Sequence, residues 1–158
     1  DRNNPGLILK FGGHAMAAGL SIKSEEFYAF KRAFHDAIKA HLNNEMPKVE
    51  LLTDGKLEAF DISLNNAEIL KEAGPWGQGF DEPIFYGNFE VVEQKVVGEK
   101  HLKCRLKLVG DTHTHDAIAF FQAPLDSKQV TVAYKLSINI WRGATNLQLM
   151  VEQISTSE

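Results

Sequence analysis

The chain has 158 residues, 44% of them apolar, enough to bury a core in one ordinary domain or two small ones. A net charge of −4 excludes a uniformly basic nucleic-acid binder, and the single Cys104 excludes an internal disulfide and suits a reducing, cytoplasmic location. No run of about 18 apolar residues occurs, so a soluble protein without a membrane partner is expected, and a start at Asp1 with no Met, basic leader or cleavage site is expected of a piece of a longer chain.

"GLILKF" (6–11) predicts a short buried strand, closed by Gly12-Gly13. "HAMAAG" (14–19) has the alanines of a brief helix, stopped by Gly19. Ser24 then offers a cap, Glu25 and Glu26 suit the positive end of a helix, and Phe27, Phe30, Phe34, Ile38 and Leu42 recur at helical spacing, predicting a helix over 25–43. "KVELLT" (48–53) and "KLEAFDIS" (56–63) read as strands around an Asp54-Gly55 turn, and "LNNAEILKEAG" (64–74) as a helix. "GPWGQGFDEP" (74–83), with its glycines, prolines and aromatics, marks a junction. Beyond it, "FYGNFEVVEQKVV", "KHLKCRLKLV", "DAIAFFQ", "QVTVAYKLSINIW" and "NLQLMVEQI" are five candidate strands. The expected architecture is α+β over 1–73, a linker over 74–83, and an all-β five-stranded barrel of OB-fold type over 84–158. The link "APLDSK" is too short for the helix that many OB-folds insert between their third and fourth strands.

Charge is uneven: residues 1–82 carry nine Lys and Arg against thirteen Asp and Glu, and residues 83–158 carry eight of each. Alternation in "HLKCRLKL" sets Leu102, Cys104, Leu106 and Leu108 on one face and His101, Lys103, Arg105 and Lys107 on the other. In the next long strand, Thr131, Lys135, Asn139 and Trp141 lie opposite an apolar face, and Arg142 follows. Lys103, Arg105, Lys135, Trp141 and Arg142 could therefore hold phosphates and stack a base, while alternating Lys equally serves to keep a strand soluble.

His113 and His115 in "DTHTHD" could share a face and take Asp111 or Asp116 as a third metal ligand; a polar turn explains them as well, and no metal site is assigned. Cys104, on an apolar face, reads as an inert buried thiol. Glu25-Glu26 and Asp81-Glu82 fit a helix start and a solvated loop, and the Phe stripe of 27–34 fits a core. No G-x-S-x-G, Walker or H-E-x-x-H motif occurs. Gly12, Gly13 and His14 could seat a phosphate on backbone amides at a helix start beside an ionisable ring; on the residues alone, a tight strand-to-helix turn is the commoner explanation.

"KFGGHAMAAGLSI", "GPWGQGFDEPIF" and "YKLSINIWRGATNLQLMVEQI", in this order, resemble the C-terminal part of the RecJ-type single-stranded-DNA-specific exonucleases of the DHH phosphoesterase superfamily, over nearly all of residues 5–154. The Gly-Gly-His element is shared across DHH-associated domains, including those of small-nucleotide phosphodiesterases; the junction followed by a barrel is more particular to the RecJ type. The resemblance implies that 1–73 is the latter part of a DHH-associated domain whose earlier strands precede Asp1, and that 84–158 is an OB-fold guiding a single strand. It implies substrate phosphate contact by Gly12, Gly13 and His14, and 5′-to-3′ exonuclease activity in DNA recombination and repair, with Mn²⁺ or Mg²⁺ held in a separate catalytic domain. No Asp-His-His triplet occurs here, so the chain alone is expected to be hydrolytically inert. Expected partners are single-stranded DNA, single-stranded-DNA-binding protein and a RecQ-like helicase. One alternative makes the barrel a protein-interaction platform for replication and repair partners; another makes the chain a fragment of a DHH-family small-nucleotide phosphodiesterase.

Overall fold

The computed structural model describes residues 3–14, 16–43 and 50–156. The chain divides into two compact units, Asp1–Glu50 and Leu51–Glu158.

In the first unit, β1 (Lys10–His14) and β2 (Ala17–Ser21) form an antiparallel hairpin, with Gly12 opposite Gly19 and Gly13 opposite Ala18. The expected helix over 14–19 is instead the end of β1, a turn at Met16 and the start of β2, Ala15 lying outside the described residues. Six residues are too few to sustain a helix, and pairing with β1 satisfies the backbone that alanine propensity alone could not. A turn of 3-10 helix, Ser24–Glu26, leads into α1 (Phe27–His41). The Ser24 side chain caps nothing; Lys23 is extended before it, and Glu25 and Glu26 occupy the first turn. Phe30 and Phe34, one turn apart, stack at 5.6 Å. No described residue of this unit is buried.

The second unit begins irregularly. Residues 50–58 carry neither expected strand, Ala59–Asp61 is a 3-10 turn, and Lys48 and Val49 lie outside the described residues. Asp54 and Gly55 bond the head of the barrel instead: Asp54 N donates to the Ile84 carbonyl (2.7 Å), Ile84 N to Asp54 Oδ2 (2.9 Å) and Tyr86 N to the Gly55 carbonyl (3.0 Å). α2 (Leu64–Glu72) starts where Ser63 Oγ accepts from Asn66 N, and beyond its end Trp76 Nε1 donates to the Leu70 carbonyl at 2.9 Å. Trp76 stacks on Phe80 at 4.8 Å, folding the Gly- and Pro-rich stretch back on itself. Ile62 and Ala67 are buried with the barrel core and Leu57 and Leu70 pack on it. Residues 51–73 thus pack with the barrel rather than with the first unit, because their apolar side chains find cover there.

Five strands close the barrel in the order β3 (Phe85–Val97), β4 (His101–Leu108), β5 (Thr114–Ala119), β7 (Ala144–Thr156), β6 (Gln129–Trp141). All neighbours are antiparallel except β5 and β7. β3 pairs with β6 through residues 85–90 and with β4 through residues 89–97, with a register shift between Val91 and Glu93. Alternation works as the sequence predicts: Val130, Val132, Tyr134 and Leu136 point in, opposite Phe89, Leu102, Leu106 and Leu149. Each buried Leu contributes about 1.5–3 kcal/mol. Ala117 and Ala119 are buried too, and Phe89 and Tyr134 meet edge to face at 5.5 Å. Between β5 and β6 there is no helix; the Gln94 amide grips that link, donating to the Leu125 carbonyl (2.8 Å) and accepting from its amide (2.9 Å). Cys104 is buried, and burial pushes its thiol up to about 11.

The Tyr134 hydroxyl is buried with no hydrogen-bond partner among the described residues, and burial pushes its pKa up to about 12. Tyr134→Phe is therefore expected to leave unfolding free energy unchanged or raise it by about 1 kcal/mol, whereas Tyr134→Ala costs about 3–5 kcal/mol, as read by denaturant titration. Because the folded pKa lies above the unfolded one, stability from this phenol is intact below about pH 10 and is lost as pH rises toward about 12. That alkaline loss should shrink in Tyr134→Phe.

Candidate nucleic-acid interface

Gly12, Gly13 and His14 sit on β1 of the hairpin, exposed to solvent. Gly13 is required by the close approach of the paired strand: a Cβ there would lie 2.7 Å from the Ala17 carbonyl oxygen and 2.7 Å from the Ala18 Cβ, whereas one on Gly12 would meet open space. No helix follows His14, so the phosphate seat expected from amides at a helix start is not formed. What the segment offers an anion is the His14 ring at the end of a strand paired to Ala17.

On the barrel, the outer face of β3, β4 and β5 is organised in rows by register. Lys95 and Lys103 stand opposite each other with Ile118 beyond, and the next row holds Glu93, Arg105 and Asp116. A cleft of about 280 Å³ lined by Glu93, Lys95, Lys103, Arg105, Thr114 and Asp116 lies across them. The cations are partly compensated: Lys103 Nζ lies 2.9 Å from Asp116, and Lys107 Nζ 2.6 Å from Glu90, whose hydrogen bond with Lys107 holds its carboxyl below the usual range. Arg105 makes no ion pair among the described residues; its guanidinium donates to Thr114 Oγ1 at 3.0 Å.

The other candidates lie elsewhere. Lys135, on β6, is 21% exposed and held between Glu82 (3.4 Å) and Glu152 (3.5 Å), so its charge is largely spent within the protein. Trp141 and Arg142 form the tip of the β6–β7 hairpin. Arg142 and Gly143 both have positive φ, 51° and 82°, the conformation of a two-residue turn matched to strand twist. Trp141 is 66% exposed, with the Arg142 guanidinium 5.8 Å from its ring centroid. Lys103 and Arg105 thus share a face, while Lys135 and the tip of Trp141 and Arg142 are separate from it.

Sequence reasoning set His101 on the outward face of its strand without a role and gave none to Phe120 and Phe121. The Phe-Phe pair at the end of a candidate strand was the available signal, but it reads as core until register puts it outside. Both Phe rings meet the His101 ring edge to face at 5.0 Å.

The "DTHTHD" segment separates its histidines. His113 is exposed, with Nδ1 3.1 Å from Asp111 Oδ1, whereas His115 pairs with Leu106 and is half-buried. Burial pushes the His115 pKa down, Asp111 opposes that and His113 adds to it. Among the described residues no three His, Cys, Asp or Glu side chains gather as a metal site. No described helix is long and apolar enough to cross a membrane.

A family model for the RecJ OB domain matches residues 53–153. The chain is 43% identical over 159 residues to the single-stranded-DNA-specific exonuclease RecJ of Dickeya dadantii, covering 98% of this chain and 28% of that protein. It is 40% identical to the Escherichia coli protein of the same name, covering 95% and 27%. The crystal structure of RecJ from Thermus thermophilus in complex with Mg²⁺ superimposes with a TM-score of 0.57 at 25% identity, covering 96% of this chain and 24% of that one; the Mn²⁺ complex also gives 0.57, with 22% of that chain covered. The chain therefore spans about a quarter of the length of these relatives. From a matched OB domain that takes in all but the last residues of the barrel, the conclusion is that the chain belongs to the RecJ family, in its C-terminal OB region.

Proposed function

We propose that this chain is the C-terminal part of a 5′-to-3′ single-stranded-DNA exonuclease of DNA recombination and repair, acting in the cytoplasm. In this reading the unit ending at Glu50 belongs to the DHH-associated domain and places His14 against a substrate phosphate. The barrel, with residues 51–83 packed on it, guides the strand. The chain supplies substrate contacts rather than the hydrolytic centre, and Mg²⁺ or Mn²⁺ is assigned to residues other than those described.

The observation that carries the reading is the outer face of β3–β4–β5, where Lys95, Lys103 and Arg105 occupy adjacent rows on a closed five-stranded barrel. OB-folds bind oligonucleotides on this second-and-third-strand face. Trp141 and Arg142 add a second, separate contact. A protein-docking role, for single-stranded-DNA-binding protein or a RecQ-like helicase, draws support from a groove of about 530 Å³ between α2 and the β6–β7 hairpin, bordered by exposed Ile69 and Ile140.

Fluorescence anisotropy with a labelled single-stranded oligonucleotide should give an affinity that falls with salt, with a log–log slope of about −0.7 per phosphate held. Arg105→Ala should reduce that slope by about 0.7; salt-independent binding would remove the channel reading. In the longer protein, His14→Ala should lower turnover about 10- to 100-fold, the loss expected for one hydrogen bond to a charged group, with the melting temperature unchanged. An unaltered rate would return His14 to a structural role in the hairpin.

A further inference from the structure

Phe121 has φ of 55°, a backbone region that a bulky aromatic residue enters only under strain. Two interactions hold it there: its amide donates to His101 Nδ1 at 3.2 Å, and its ring meets the His101 ring edge to face. Relaxed to an extended conformation, the chain would carry this ring in another direction. Held as it is, Phe121 is 78% exposed and Phe120 54%, so the strain maintains two aromatic rings in water.

Register says what lies beside them. Val97 pairs with His101, and one step beyond the pair of Leu102 with Ala119, His101 meets Phe120. The next outward row is Lys95, Lys103 and Ile118. Alternate residues on a strand are about 7 Å apart, a distance that one nucleotide covers between its base and its phosphate. Two solvent-exposed phenylalanine rings set edge to face against His101 and followed by two ammonium groups suit a base stacked on one ring with its phosphate on the lysines. Exposed rings beside two lysines call for an occupant that is both aromatic and anionic, which favours a nucleic-acid strand over a peptide.

We propose that His101, Phe120 and Phe121 form a base-stacking subsite for single-stranded DNA, with Lys95 and Lys103 taking the adjoining phosphate. The subsite rests on the single-strand reading above and adds its location and its chemistry: one unpaired base, recognised by its π face rather than its hydrogen-bonding edge, hence little dependence on sequence. Asp116, now 2.9 Å from Lys103, is the group the phosphate displaces.

The test measures binding of a labelled oligo(dT) and of an abasic oligonucleotide of equal length to the whole chain. Phe121→Gly is the informative variant, because glycine accepts a positive φ without strain and keeps the turn. It should melt no lower than the wild type yet bind oligo(dT) about tenfold more weakly, with the salt slope and the abasic affinity unchanged. Phe120→Ala should act in the same direction, and Asp116→Asn should tighten both ligands by freeing Lys103. Oligo(dT) affinity unchanged in both Phe variants, while the wild type still binds with a salt slope, would overturn the subsite and leave the single-strand reading standing. Equal affinity of the wild type for abasic and dT strands would do the same. No binding by the wild type at low salt would overturn both.

Discussion

The molecule depends on one strand serving two partners. β3 gives residues 85–90 to β6 along one edge and residues 89–97 to β4 along the other, and a register shift within the β3–β4 pairing, between Val91 and Glu93, bends the strand as the barrel closes. Phe89 is the pivot. It pairs with Val130 on one side and Leu108 on the other, is wholly buried, and meets Tyr134 edge to face. Closure then fixes every alternation: with Leu102, Cys104 and Leu106 committed to the inside, His101, Lys103 and Arg105 have nowhere to go but out.

The long strands were legible in the sequence almost to the residue: the candidate runs of β3 and β6 match the observed strands, and in β6 burial alternates from Val130 to Leu136 as the pattern implies. α2 was legible too, from "LNNAEILKEAG" closed by Gly74. The short elements were not. In β2, alanine favours a helix, and only pairing with β1, through glycines that permit close approach, makes the segment extended. Residues 50–58 have the composition of strands, but their backbone groups bond singly to the head of β3 and no ladder forms. These outcomes are decided by partners distant in the chain, which local pattern cannot contain.

The candidate interface divides in the same way. Alternation identified which side chains face outward, and that held for Lys103, Arg105 and Trp141. It could not say which charges remain available, because the carboxylates that meet Lys103 and Lys135 come from Asp116, Glu82 and Glu152 on other segments. The family was legible from motifs spread over the whole chain, and it changed the weight of Gly12-Gly13-His14 without supplying its geometry. That geometry is a hairpin end, so any anion there meets an imidazole and a strand edge instead of a ring of helix amides.

The β6–β7 hairpin carries a further consequence. Above Tyr134, β6 no longer has β3 beside it, and before Ala117 pairs with Leu149, β7 has no β5, so residues 135–141 and 144–148 form a two-stranded ribbon overhanging a closed barrel. Closure removes exposed edges from a sheet, and this ribbon restores two of them, with Ile138 and Ile140 among its side chains. The groove beside it is walled by Glu68, Lys71 and Glu72 of α2, so charged groups stand where another chain's strand would otherwise add. Charged side chains beside an open edge disfavour edge-to-edge pairing, which gives the charges of α2 a use beyond its packing on the barrel.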